Sequence, residues 1–257
     1  TRWVGLVFIS VAVALIIVDS TIVNVAIPSI VADLGISSTQ VQWVQESYTL
    51  VFAALLLVFG TLADRYGRRL MVLLGVVLFA AASVFAALAS TGDLLILSRL
   101  IQGVGGAMIL TSSLSIINAT FRGRERAIAF AVWGSTIGGM AAVGPLLGGW
   151  LTTYFSWRWA FGINVPLGVI IIIGILYAVV ESKEAGVPRR VDVVGALLSV
   201  VLFGTLVFGL IEGRTYGWWL SNKPPSFWTL DVSPIPFVFG VTLIALDDGA
   251  QLSGLQR

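Results

Sequence analysis

The 257-residue chain carries fifteen Lys plus Arg against thirteen Asp plus Glu, and 58% of its residues are hydrophobic. Its mean hydropathy is +0.99. A charged share of 11% is less than half the roughly one quarter of a soluble domain, too little to cover a globule in water, and the chain is too apolar to stay disordered. The absence of Cys and His excludes disulfides, thiolate or imidazole metal sites and Ser–His or Cys–His nucleophile pairs. The net charge of +2 points to no nucleic acid, because the basic residues fall in short loops between apolar runs.

A membrane-crossing helix needs roughly 20 mostly apolar residues. Seven stretches qualify: Trp3 to Ile30, Val44 to Leu62, Leu70 to Ala89, Leu94 to Ile117, Ala127 to Thr152, Ala160 to Val180 and Val191 to Ile211. The connections hold breakers such as Ser90-Thr91-Gly92-Asp93 and Glu184-Ala185-Gly186-Val187-Pro188. Alternating barrel strands are not visible, so the expected class is an all-α integral membrane bundle. An eighth apolar segment, Pro234 to Leu246, reaches only roughly 20 Å at helical rise. The polar run Asp247-Asp248-Gly249-Ala250-Gln251 that follows it suggests a span cut in the middle, and Thr1 in place of Met suggests a trimmed amino end. Four prolines ahead of and at the start of this segment (Pro224, Pro225, Pro234 and Pro236) mark an extramembrane loop between the seventh and eighth segments.

Lys and Arg in short loops are retained on the cytoplasmic side. With the amino terminus inside, Arg2, Arg65, Arg68, Arg69, Arg122, Arg124, Arg126, Lys183, Arg189 and Arg190 are cytoplasmic, against Arg158, Arg214 and Lys223 outside. Topology alone accounts for most of these charges. The tryptophans near span ends, among them Trp43, Trp150, Trp157, Trp159, Trp218 and Trp219, read as an interfacial belt. Tyr48, Phe52 and Trp133 are candidates to face a cavity.

An ionisable side chain inside a span costs at least a few kcal/mol and is a functional candidate by default. Asp19 lies roughly 24 Å along the first span, with Asn24 beyond it. Glu46 stands near the start of the second span and Arg99 near the start of the fourth, so all three charges share the outer half. A carboxylate beside an arginine in a cavity is suited to exchanging a proton for a cation. The competing readings make Arg99 a pin between helices and let Glu46 snorkel to the headgroups. Arg99, Gln102, Gly103 and Gly106 recur at three and four residues and form one stripe of the fourth helix. In the fifth span Gly144-Pro145-Leu146-Leu147-Gly148-Gly149, preceded by Gly134, Gly138 and Gly139, combines glycines that allow a close crossing with a proline that bends the helix.

These residues also carry a resemblance. Gly60-Thr61-Leu62-Ala63-Asp64-Arg65-Tyr66-Gly67-Arg68-Arg69 resembles the signature between spans two and three of the major facilitator superfamily. Leu97-Ser98-Arg99-Leu100-Ile101-Gln102-Gly103 resembles its fourth-span motif, and the Gly144 to Gly149 run resembles the core of the fifth-span antiporter motif, with Ala131 and Met140 where upstream glycines are usual. Asp19-Ser20-Thr21-Ile22-Val23-Asn24 and Ser156-Trp157-Arg158-Trp159 through Ile163-Asn164-Val165-Pro166 resemble motifs of the fourteen-span drug:proton antiporter branch.

The resemblance implies a six-helix transporter half at 1–180, a linker with the inserted spans seven and eight at 181–246, the eighth truncated, and a polar tail at 247–257. It implies a multi-pass protein of the cytoplasmic membrane that exports hydrophobic or cationic small molecules against protons, with the proton gradient and no cofactor as energy source. Its partners are then the lipid bilayer, the substrate and a carboxy-terminal six-helix half missing from this chain. Asp19, Asn24, Glu46, Arg99 and Gln102 serve coupling and substrate. Gly60, Asp64, Arg65, Gly67, Arg68 and Arg69 form the cytoplasmic gating loop, and Gly144, Pro145, Gly148 and Gly149 form the antiporter bend. The alternatives are a non-transporting membrane module, a narrow-substrate facilitator, and last a membrane enzyme, which lacks a plausible nucleophile with a base.

Overall fold

In a computed structural model, residues 2–183, 193–220 and 233–244 are described. The breaker run 184–188, Arg189, Arg190, Pro224, Pro225, Lys223, Leu246 and the polar tail 247–257 lie outside the described residues. The helices are α1 Arg2–Leu34, α2 Ser38–Tyr66, α3 Arg68–Ala87, α4 Gly92–Thr120, α5 Gly123–Tyr154, the short α6 Trp159–Gly162, α7 Asn164–Ala178 and α8 Val193–Tyr216. A further helix, α9, covers Ile235–Ile244. Among the described residues six helical spans, with Trp159–Ala178 counted as one, are long and apolar enough to cross a membrane, while Val200–Gly213 and Ile235–Ile244 are shorter apolar stretches.

α2 and α4 begin ahead of their hydropathic windows because polar caps that hydropathy passes over start them. Ser37 accepts the Gln40 amide while the Gln40 side chain accepts the Ser37 amide, a capping box that starts α2 six residues before Val44. Thr91 accepts the Leu94 amide and starts α4. α5 runs unbroken through Pro145 for 32 residues. The sixth expected span is divided at Ile163, whose φ of −63° and ψ of −24° stay near helical values.

α3 packs along α4, α4 along α2, α5 along α1, and α7 against both α1 and α3, with α8 on the outside of α2. Glycines set the closest approaches. A Cβ on Gly105 would stand 2.8 Å from the Gly75 carbonyl oxygen, and one on Gly75 would stand 2.9 Å from the Gly105 carbonyl oxygen, so the backbones of α3 and α4 touch there. A Cβ on Gly103 would stand 2.7 Å from the Tyr48 carbonyl, bringing α2 equally near α4. On α5, Gly144 faces Thr21, and Gly148 faces Ile22. Gly134, Gly138, Gly139 and Gly149 have open space beside them, so the glycine-rich fifth helix divides into a packed pair and an open face.

The apolar interior forms two main clusters. One gathers Ile9, Val13, Ile16, Val76, Phe79 and Ile109. The other gathers Val18, Ile22, Ile30, Leu95, Ala160 and Phe161. Near the junction of the two clusters stand buried polar residues: Asp19 on α1, Ser83 on α3, Arg99 and Gln102 on α4, and Asn164 at the start of α7. The bundle therefore holds one polar layer between two apolar ones.

Because the α3–α4 crossing admits no side chain, Gly105→Val forces backbone displacement and should cost about 1–3 kcal/mol. Thermal unfolding in detergent micelles should show a lowered midpoint for Gly105→Val and none for Gly134→Ala, which enters open space.

Candidate functional site

Asp19 is fully buried. Its Oδ2 pairs with Arg99 Nη1. Its Oδ1 accepts Asn164 Nδ2 at 2.6 Å and Gln102 Nε2 at 3.2 Å. Donors from α4 and α7 thus converge on one carboxylate of α1. Gln102 Nε2 and Asn164 Nδ2 also donate to Ser83 Oγ, at 2.8 and 3.1 Å, and Ser83 donates to the Phe79 carbonyl at 2.8 Å. The carboxylate is held by charged and amide donors together, the condition under which a buried ion pair is tolerated at all.

Arg99 is equally enclosed. Besides Asp19, Nη1 reaches Gln102 Oε1 at 2.8 Å, and Nε donates to the Val44 carbonyl at 3.3 Å. The guanidinium lies 4.3 Å from the Tyr48 ring centroid and 5.9 Å from that of Phe161, close enough for cation–π attraction. Gly106 leaves room for Tyr48, whose hydroxyl would meet a Cβ there at 3.0 Å. That hydroxyl is buried and has no hydrogen-bond partner.

Arg99 and Tyr48 border a cavity of about 320 Å³ whose other walls include Asn24, Gln45, Glu46 and Thr49. Gln45 Nε2 donates to Asn24 Oδ1 at 2.8 Å. Glu46 is exposed at this cavity. The three charged positions expected to share one site are therefore layered: Glu46 at the cavity, Arg99 beneath it, and Asp19 behind Arg99 and away from the cavity lining. Of the aromatic candidates only Tyr48 borders it; Phe52 and Trp133 pack on the apolar core.

At the opposite end, Arg68 Nε and Nη2 each reach Asp64 Oδ1 at 2.8 Å. Gly67 has φ of +131°, a region costly for side chains. A Cβ there would also stand 2.7 Å from the Glu181 carboxyl carbon. Glu181 accepts the Arg69 and Leu70 amides at 3.0 and 2.9 Å, placing a negative charge on the first turn of α3. Arg69 Nη2 donates to the Leu176 carbonyl at 2.7 Å. Gly60 has open space beside it, and Arg65 lies over the Tyr66 ring. Gly144 and Gly148 press on α1 close to Asp19, while Pro145 faces outward.

Several participants carry no strong signal in sequence. Asn164 and Ser83 are neutral and common, and only the position of Asn164 within a family-like motif hints at a role. Glu181 and Glu212 stand next to span ends, where charges are unremarkable. Trp157, read as part of the interfacial belt, is instead buried: it donates to Asp33 at 2.9 Å beside Arg158, which also reaches Asp33. Glu125 pairs with Arg2 at 2.7 Å.

Six apolar helical spans around a layer of buried polar groups define a multi-pass membrane protein. The family described as Major Facilitator Superfamily matches residues 9–246, and the chain belongs to that superfamily. It is 39% identical over 218 residues to a puromycin resistance protein of Streptomyces alboniger, an alignment covering 84% of this chain and 43% of that protein. It is 40% identical over 221 residues to a probable actinorhodin transporter of Streptomyces coelicolor (84% and 38% covered). It is 35% identical over 240 residues to the multidrug resistance protein Stp of Mycobacterium tuberculosis (93% and 44% covered). The chain thus spans less than half the length of these relatives. Among solved structures, a peptide transporter POT in complex with sulfate shares the fold, with a TM-score of 0.64 at 15% identity, covering 84% of this chain and 47% of that one.

Removing one member of the Asp19–Arg99 pair strands the other charge in the interior. Arg99→Met or Asp19→Leu alone should each cost about 3–5 kcal/mol, and the double variant should cost less than either. Thermal unfolding of the three variants in one detergent measures the difference.

Proposed function

We propose that this chain forms one six-helix half of a proton-coupled exporter of hydrophobic or cationic compounds, with Asp19 and Arg99 as the exchange pair. The observation that carries the reading is the layering of charges: a guanidinium borders the cavity while its neutralising carboxylate lies behind it. Ionised Asp19 cancels the charge of Arg99, leaving Glu46 as the dominant charge felt by a ligand and favouring a cation. A proton on Asp19 leaves Arg99 uncompensated, and the cavity then repels the cation. Proton uptake and cation release are coupled without the two ever sharing a contact. The energy source is the proton gradient, with no cofactor.

In this reading the bundle end bearing Arg65, Arg68 and Arg69 faces the cytoplasm, as basic residues in short loops favour, and so does the amino terminus. The Asp64–Arg68 pair and Glu181 hold the gating loop there. In this proposal the second half of the permeation path comes from a carboxy-terminal six-helix unit, and alternating access arises from rocking of the halves. Export agrees with the resistance and transporter names of the relatives, and the packed Gly144–Gly148 pair supplies a close α1–α5 contact beside Asp19.

The test is efflux of a fluorescent lipophilic cation from drug-sensitive bacteria by the chain completed with the carboxy-terminal half of a relative. Export should collapse when the proton gradient is dissipated, and Asp19→Asn or Arg99→Ala should lower it at least about tenfold at equal membrane abundance, as loss of one buried charged partner implies. Export that survives both the uncoupler and Asp19→Asn would remove the exchange pair from the mechanism.

A further inference from the structure

Glu212 lies on α8, outside the polar layer, and is 9% exposed. Its Oε1 accepts the indole Nε1–H of Trp43 on α2 at 2.7 Å. One turn earlier, Phe208 places its ring 6.0 Å from that of Trp43. Residues four apart on α8 therefore grip one indole, the ring from one position and the carboxylate from the next turn. A carboxylate is a costly acceptor on a helix this apolar, but a charged acceptor makes the hydrogen bond markedly stronger than a neutral one.

What Trp43 adjoins gives this clasp its meaning. The next residue, Val44, offers the carbonyl that accepts Arg99 Nε at 3.3 Å, and one turn on, the Tyr48 ring lies against the guanidinium. The side chains of Trp43 and Tyr48, five residues apart, project about 140° apart around the helix, so α2 is held from two sides at once, by α8 through Trp43 and by α4 through the Tyr48 ring, with the Val44 carbonyl adding a hydrogen bond. The same stretch supplies Gln45, Glu46 and Thr49 to the cavity wall.

We propose that Glu212 is a positioning residue: by clasping Trp43 it fixes the first turns of α2, and with them the Val44 carbonyl and the Tyr48 ring, against Arg99. This rests on the reading of Asp19 and Arg99 as the exchange pair, and it assigns the helix that follows the six-helix unit a part in shaping that pair's surroundings. With the clasp open, the first turns of α2 lose their anchor on α8 and move more freely against α1, so the α1 side of the cavity at Ser20, which is already part-exposed, is reached more often.

The chain contains no cysteine, so one introduced thiol reports alone. In the full chain in membrane vesicles, a Ser20→Cys reporter is labelled with a soluble maleimide, and Thr111→Cys on α4 serves as a second reporter distant from the clasp. Glu212→Ala and Trp43→Phe should each raise labelling at position 20 by about tenfold, the opening expected from loss of a hydrogen bond to a carboxylate, and combining them should add nothing. Glu212→Gln, whose amide oxygen accepts the same indole hydrogen, should restore the slow rate, and the second reporter should not change. An unmoved rate in Glu212→Ala, a Gln variant that behaves like Ala, or an equal rise at position 111 overturns the proposal. Labelling requires no transport, so failure here leaves the export reading standing, and failure of export leaves the clasp to be judged on its own rates.

Discussion

The pairing of Asp19 with Arg99 is the constraint on which the rest of the bundle depends. Neither charge is tolerable alone among apolar helices, and each reaches its partner only because α1 and α4 are held in fixed register. The surrounding amides complete what the pair leaves unmet: Gln102 and Asn164 donate to the carboxylate, and Ser83 collects the second hydrogen from each. The layer is therefore a single network spread over α1, α3, α4 and α7, with apolar clusters on both sides that keep it from drifting along the helices.

Close packing by glycine supplies the register. Gly75 and Gly105 bring α3 to α4, Gly103 and Gly106 bring α2 to α4, and Gly144 and Gly148 bring α5 to α1 near Asp19. In a lipid solvent no hydrophobic force drives helices together, so intimate van der Waals contact at small residues carries much of the association. The open glycine face of α5 and the polar cavity beside α2 are the parts of the bundle this network leaves unfilled, and they are where the structure can engage something other than itself.

What was legible in the sequence follows from cost. The spans declare themselves because an uninterrupted apolar run has few other uses, and Asp19 and Arg99 stand out because charge in such a run is expensive. The starts of α2 and α4 are not legible from hydropathy, since Ser37, Gln40 and Thr91 act through caps that hydropathy does not register. Ser83 and Asn164 are cheap to bury once hydrogen-bonded, so they carry no comparable mark, and their part is visible only when α3 and α7 meet α1. Trp157 was misplaced for a related reason: an amphipathic ring near a span end suits the interface and the interior equally, and the partner that decides between them, Asp33, lies 124 positions away. The glycines of α5 gave a sound reason for close packing without indicating which of them would meet a helix.

In the proposed exchange, proton occupancy of Asp19 and cation occupancy of the cavity are mutually exclusive. The most direct measurement is proton release from the purified, completed transporter when a lipophilic cation is added in weakly buffered detergent solution, followed with a pH indicator. Mutual exclusion requires release on binding that vanishes in Asp19→Asn while the variant still binds the cation. Binding with no release, or release that persists in Asp19→Asn, would contradict it.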